Sequence, residues 1–557
     1  MALRILCILL AVSLLASPLA ADHPEHARHA MVAAQEPLAT DVGVAVLRAG
    51  GNAVDAAVAV AFALAVTHPS AGNLGGGGFL LLRLANGEST FLDFRERAPA
   101  KSTHDMYLGP GGKPTGDSIT GWRAAGVPGT VSGLETAHRK FGSKPWAELV
   151  APAARLARGF PISYAFAKSL ESHAELLNRF PESKRIFLRN GKYYEPGEIF
   201  AQPELRRTLE RIARGGAHEF YEGETARKLA EAMEANGGLI TAGDLKSYRT
   251  VERKPLTGAY RGYSIITAPP PSSGGVGLLQ MMGMLEGTNY QDNGAESAAA
   301  IHFVAEVMRR YYADRSEYLA DPDFFRVPVS RLLDKKYIAA RRSTIQPGKA
   351  STSAEIRAGN VALAESSETT HLSIVDEKGN AVALTYTING GYGCGVTAPG
   401  LGFLLNNEMD DFAVKPGEPN MFGLVQGESN AIQPNKRPLS SMTPTILLKD
   451  GKLFMVVGAP GGSRIITGVL QVILNVIDFG MNVQDAIDAP RFHHQWMPDR
   501  LYLERGFSPD TIALLKARGH TVDSASSVAN VEAVVVQPDG WLAGGSDRRA
   551  HGKAAGF

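Results

Sequence analysis

Apolar positions recur at helical spacing over residues 38–47, a stretch closed by Gly50-Gly51, and again over 53–66, which breaks before Pro69. The second stretch is apolar almost all round (Val54, Ala57, Val58, Val60, Ala61, Leu64, Ala65), which predicts a buried helix. Residues 80–84 and 89–94 flank Asn86-Gly87, a strong hairpin signal, and the second strand runs into Asp93-Phe94-Arg95-Glu96. Residues 120–250 and 295–340 read mainly as helices, with Pro269-Pro270-Pro271-Ser272-Ser273-Gly274-Gly275 as a stiff loop between them. Small polar residues dominate 349–368, and a strongly β-patterned segment follows at once.

That segment carries the richest local signal. Residues 369–376 and 380–389 form two strands around Glu377-Lys378-Gly379, and Asp376 with Gly379 fits a type I turn with a left-handed bulge glycine. The turn pairs Asp376 with Asn380 and sets Thr369 opposite Thr387, with Cβ atoms about 5 Å apart. One face (Thr370, Leu372, Ile374, Val382, Leu384, Tyr386) suits burial against helices. The other (Thr369, His371, Ser373, Ala381, Ala383, Thr385, Thr387) is small and polar, a natural setting for a nucleophile. A threonine hydroxyl needs a base, and the chain contains no G-x-S-x-G elbow. A chain cut before Thr369 would supply the base as its own α-amine.

Composition narrows the class. Lys+Arg 57 against Asp+Glu 56 leaves a net charge of +1, so no global field draws the chain to nucleic acid or an anionic membrane. Glycine, at 60 residues, is in excess without a collagen period and marks tight turns and close backbone approaches. The run Gly75 to Gly78 lacks the Lys and Ser/Thr of a phosphate loop. Two cysteines, Cys7 and Cys394, exclude a disulfide framework and any multi-cysteine metal site. Arg4, the apolar run 5–16 and Ser17-Pro18-Leu19-Ala20-Ala21 read as a secretory signal cut near Ala20 or Ala21, after which the mature chain is exported and soluble. His23, His26 and His29 then fall on what is expected to be a mobile tail.

Glu368-Thr369-Thr370-His371, Asn406-Asn407-Glu408-Met409-Asp410-Asp411, Pro438-Leu439-Ser440-Ser441-Met442 and Pro460-Gly461-Gly462-Ser463-Arg464 resemble the γ-glutamyltranspeptidase family, as do Gly75 to Gly78 and Asp93 to Glu96. The resemblance implies an N-terminal-nucleophile fold, an α+β four-layer αββα sandwich. It also implies autocatalytic splitting, after the 1–21 signal, into a large subunit (22–368) and a small catalytic subunit (369–557) that stay together as one globular unit. No cofactor or metal is expected.

By the same resemblance, Thr369 is the processing residue and the nucleophile, and Thr387 hydrogen-bonds it. Gly461 and Gly462 supply oxyanion N–H groups, and Arg95, Ser440 and Ser441 take the α-carboxylate of a γ-glutamyl donor such as glutathione. Asn389, Glu408 and Asp411 hold the α-ammonium, while Asp410 receives no role. Water or an amino-acid or dipeptide acceptor resolves the acyl-enzyme. Residues 416–430 resemble a lid whose tip here is Phe422, where a tyrosine is frequent; Phe422 can shield an ester but has no hydroxyl to donate. The alternatives are a glutaryl-cephalosporin type acylase, which needs no ammonium site, and an exported amino-acid or peptide-binding protein, which needs no cut. A periplasmic or extracellular location fits the signal.

Overall fold

The computed structural model describes residues 23–189, 191–357 and 369–557. The signal segment and the residues just before Thr369 lie outside the described residues. Two seven-stranded sheets form the centre. Their strands, in chain order, are β1 (Glu25–Ala27), β2 (Met31–Ala34), β3 (Gly77–Arg83), β4 (Ser89–Phe94), β5 (Val251–Arg253), β6 (Leu256–Tyr260) and β7 (Tyr263–Thr267). They continue as β8 (Thr370–Val375), β9 (Ala381–Thr387), β10 (Thr445–Lys449), β11 (Lys452–Gly458), β12 (Glu532–Val536), β13 (Leu542–Ser546) and β14 (Lys553–Gly556). One sheet has the order β1-β13-β12-β11-β10-β7-β6 and the other β14-β2-β8-β9-β3-β4-β5.

Side-chain alternation makes the layers. In β3, Leu80 and Leu82 join a core with the helices Pro37–Arg48 and Ala53–Thr67, while Phe79 and Leu81 face the other sheet. Helices Gly274–Leu285, Ala298–Tyr318 and Ile465–Ile477 cover that second sheet, completing an αββα sandwich. Every residue of helix Ala53–Thr67 is buried, as its all-round apolar pattern predicts. Truncating a core leucine such as Leu384 to alanine would cost about 2–5 kcal/mol.

The central hairpin has the predicted register: Thr370 pairs with Tyr386 and Val375 with Ala381. Gly379 takes φ 82°, and the Asp376 carboxylate accepts from the Lys378, Asn380 and Ala53 amides, so one turn residue also caps a helix. The small polar face is not solvated. It is shut between the sheets, and a side chain at Gly458 would overlap the His371 ring.

Two expectations need correction. Residues 25–27 are no mobile tail, because β1 pairs with β13 at the sheet edge and finds its partner hundreds of residues away. Strand β3 begins at Gly77, three residues before the expected start. Gly77 and Gly78 are strand residues, and glycine is required there because an added Cβ would sit 2.4 Å from Phe94 O at Gly77 and 2.4 Å from Thr385 O at Gly78.

Candidate active site

Thr369 leads directly into β8 and is 6% exposed. Its hydroxyl oxygen lies 3.4 Å from that of Thr387 across the hairpin. Thr387 is fixed in turn: its Oγ1 accepts from the Asn389 amide at 2.8 Å and its carbonyl from Asn73 Nδ2 at 2.9 Å. Asn389 holds φ 74°, a left-handed conformation uncommon for a residue with a side chain. The strain aims its amide at Thr387 and lets Nδ2 donate to Asn407 O at 3.0 Å.

A narrow cavity joins Thr369, Thr387 and Asn389 to Arg95, Glu408, Asp411, Ser440, Ser441, Gly462 and Phe422. The structure thus brings together every residue singled out from the sequence except Gly461, which borders a wider cavity of about 340 Å³ on the other side of Thr369. Gly461 and Gly462 have φ 137° and 54°, and a Cβ on Gly461 would come within 2.8 Å of Ala529 Cα. They open the short turn that feeds helix Ile465–Ile477, so their amides stand at a positive helix end.

Arg95 is 1% exposed and donates through its two terminal nitrogens to Glu408 and Asp411, while Nε reaches Pro438 O at 3.3 Å. Glu96, quoted in the motif but given no role, lies 3.7 Å from Arg95 and completes an acidic cluster. Burial lifts the Glu96 carboxyl to about 7 against the pull of Arg95. Burial likewise holds Glu408 well above the carboxylate range, with Arg95 opposing and Glu96 and Asp411 adding to it. For Arg95, burial works against the charge, but Glu408, Asp411 and Glu96 together keep its affinity for the proton above the ordinary value.

A second guanidinium, Arg315, also lines the cavity and was not legible in the sequence. It donates to Ser273 Oγ at 3.0 Å and to Ser441 Oγ at 3.1 Å, which leaves the Ser441 proton to be donated elsewhere. The proline-rich loop is the scaffold here. Ser440 N donates to Pro271 O at 2.9 Å and Ser273 N to Ser440 O at 2.7 Å. The cavity is thus lined by Arg95 and Arg315 together with Glu408 and Asp411, groups for both charges of a zwitterion.

Asp410 points away from this cluster. Its carboxylate accepts from Ser118 Oγ at 2.9 Å and the Met421 amide at 2.8 Å, and burial raises it to about 6 against those bonds. It therefore ties down the segment that the resemblance reads as a lid, whose Phe422 is 4% exposed.

A threonine at the head of a central strand of an αββα sandwich, facing a glycine turn at a helix end, defines an N-terminal-nucleophile hydrolase. Comparisons with known proteins narrow this class. The family model described as Gamma-glutamyltranspeptidase matches residues 39–557. The glutathione hydrolase proenzyme of Escherichia coli K12 is 51% identical over 531 residues, which cover 95% of this chain and 92% of that protein. The Acylase ACY 1 proenzyme of Pseudomonas sp. SE83 is 39% identical over 95% of this chain and 94% of that one. Among solved structures, the cephalosporin acylase of Bacillus halodurans superposes with a TM-score of 0.83 at 27% identity, covering 98% of this chain and 99% of that one. The chain belongs to the γ-glutamyltranspeptidase family.

Proposed function

We propose that this protein is a γ-glutamyl hydrolase and acyltransferase acting on glutathione and related γ-glutamyl compounds. The observation that carries the reading is Arg95, held between Glu408 and Asp411 in the cavity that contains Thr369. A bound glutamyl group brings one carboxylate and one ammonium. The carboxylate takes the planar fork of Arg95 with the Ser440 and Ser441 hydroxyls, and the ammonium takes Asn389, Glu408 and Asp411. Every buried charge keeps a partner through the exchange.

In the reaction, Thr369 Oγ1 attacks the γ-carbonyl and its proton passes to the threonine's own α-amine. Thr387 holds the hydroxyl in line. The oxyanion forms against the amides of Gly461 and Gly462, the protonated amine of Thr369 returns a proton to the leaving amine, and a γ-glutamyl ester remains. Water or an amino-acid or dipeptide amine resolves it, under Phe422. The terminal amine requires a precursor cut before Thr369, after export behind a signal ending near Ala21 to the periplasm or exterior. The two products, 22–368 and 369–557, stay joined as a heterodimer.

An acylase for glutaryl groups would have no use for three carboxylates beside Arg95, and this favours the glutamyl reading. The test is to incubate the purified protein with glutathione and measure free glutamate and cysteinylglycine, with denaturing electrophoresis in parallel. Two bands and glutamate release are expected; one uncut band with no turnover would overturn it.

A further inference from the structure

Lid and glycine turn are joined by a single buried side chain, Gln495, which is 2% exposed. Its Nε2 donates to Phe422 O, Gly423 O and Met497 O, each at 3.2 Å. Its Oε1 accepts from Ser463 Oγ at 2.7 Å and from His493 Nε2 at 2.9 Å. The orientation of the amide is dictated by its neighbours. Three carbonyls can only accept, and the Ser463 hydroxyl supplies a donor to the other side of the amide. Ser463 directly follows Gly461-Gly462, and its carbonyl is held by the Tyr312 hydroxyl.

The lid turn is built to be held at this point. Asn420 Oδ1 accepts from the Phe422 and Leu424 amides at 3.0 and 3.2 Å, so residues 420–424 form one tight unit. Asp410 anchors one side of that unit through Met421 N, and Gln495 anchors the other through two carbonyls. Phe422 has no hydroxyl, so the hold is made on backbone.

We propose that Gln495 is a positioning residue that couples lid closure to alignment of the Gly461-Gly462 amides, so that the oxyanion donors are in place only while the lid covers the ester. The inference rests on the acyl-transfer reading above. When the lid lifts, Gln495 loses acceptors for its NH2 group, and its amide is free to turn away from Ser463. The turn then loses the hydroxyl bond that fixes its third residue. Water admitted by an open lid would meet an acyl-enzyme with slackened oxyanion donors.

The test uses the processed enzyme and the variants Gln495→Met, Gln495→Glu and Ser463→Ala. Methionine keeps length and loses every bond, whereas glutamate keeps the acceptor and turns oxygen against three carbonyls. Ser463→Ala removes the far end and does not touch the lid. Amide hydrogen exchange over residues 420–424 reads the lid, and kcat with a γ-glutamyl anilide reads the turn. We expect Ser463→Ala to speed lid exchange about fivefold, the weight of one neutral hydrogen bond, and Gln495→Met about tenfold or more. Both should lower kcat by similar factors, with smaller changes in KM and no rise in exchange elsewhere. Lid exchange unchanged in Ser463→Ala, or a faster lid with kcat unchanged in Gln495→Met, would overturn the coupling. If Gln495→Met does not mature, Ser463→Ala and Gln495→Glu carry the same comparison. If the wild type releases no anilide, the activity reading falls, while lid exchange in Ser463→Ala still decides the coupling.

Discussion

Arg95 and Asp411 are hydrogen-bonded to each other in the cavity that contains Thr369, so the two ends of the proposed recognition site are already matched in charge. A neutral amide without the amino-acid head would have to break this pair and offer nothing in return. Selectivity for a zwitterion follows from that exchange, and the pair itself can be tested from either side.

Asp411→Asn keeps size and removes the charge. A charge-assisted hydrogen bond contributes about 1.5–3 kcal/mol, so kcat/KM for γ-glutamyl substrates should fall roughly 10- to 150-fold. Turnover of a glutaryl analogue, which has no ammonium, should fall much less or rise. Steady-state kinetics on processed enzyme provides the comparison; equal losses on both substrates would make Asp411 structural.

Arg95→Lys keeps the charge and loses the fork. The expected outcome is a rise in KM for a γ-glutamyl anilide of roughly 10- to 100-fold, since one or more charge-assisted bonds are lost. Maturation into two chains should be intact, because the cut does not involve the substrate carboxylate. An unchanged KM would remove Arg95 from recognition.

Maturation itself should depend on the nucleophile. Thr369→Ala is expected to yield a single full-length chain without activity, and Thr369→Ser a partly processed one. N-terminal sequencing of the smaller wild-type fragment should read from Thr369; any other start sinks the terminal-threonine mechanism.

Acid should destabilise the fold through buried histidines. Burial lowers His371 and His520 to about 3 and His68 and His494 to about 4, so each is neutral when folded and charged when unfolded below about 6.5. Their contribution is full above pH 6.5 and is lost as pH falls toward 3–4, at up to about 1.4 kcal/mol per pH unit for each group. Asp410 and Glu96, raised by burial to about 6 and 7, and Glu408 and Glu532, raised well above the carboxylate range, work in the opposite sense and offset part of this loss. The histidine contribution is read by difference: between pH 6.5 and 4, Tm of His371→Gln should fall less, or rise more, than that of the wild type. An identical slope in the variant would show that His371 does not titrate on unfolding.

Much of this was legible in the sequence, for physical reasons that differ by element. The hairpin register could be read because Asp376 and Gly379 specify one turn and the turn fixes every pair after it. Helix Ala53–Thr67 was legible because an apolar surface on all sides has only one place to go. The start of β3 was not, since glycine argues against a strand until the backbones that crowd Gly77 and Gly78 are seen. Arg315 and Gln495 look like ordinary polar residues along the chain; only packing of their segments against the glycine turn and the proline-rich loop gives them partners. Glu96 was visible in its motif, but its raised proton affinity comes from burial, which only the folded sheets provide.

Strand β8 is third of seven in its sheet, with β2 on one side and β9 on the other. The two ends that a ribosome gives a polypeptide normally lie at the surface, where threading them is easy. A free amine at the head of an interior strand cannot be produced by synthesis followed by assembly, because the strand would have to find its slot as a loose end among partners from both halves of the chain. It can be produced by building the sheet from an unbroken chain and severing that chain afterwards. For the proposed cut before Thr369, this position sets the order of manufacture: the architecture comes first, and the reactive terminus is opened inside it.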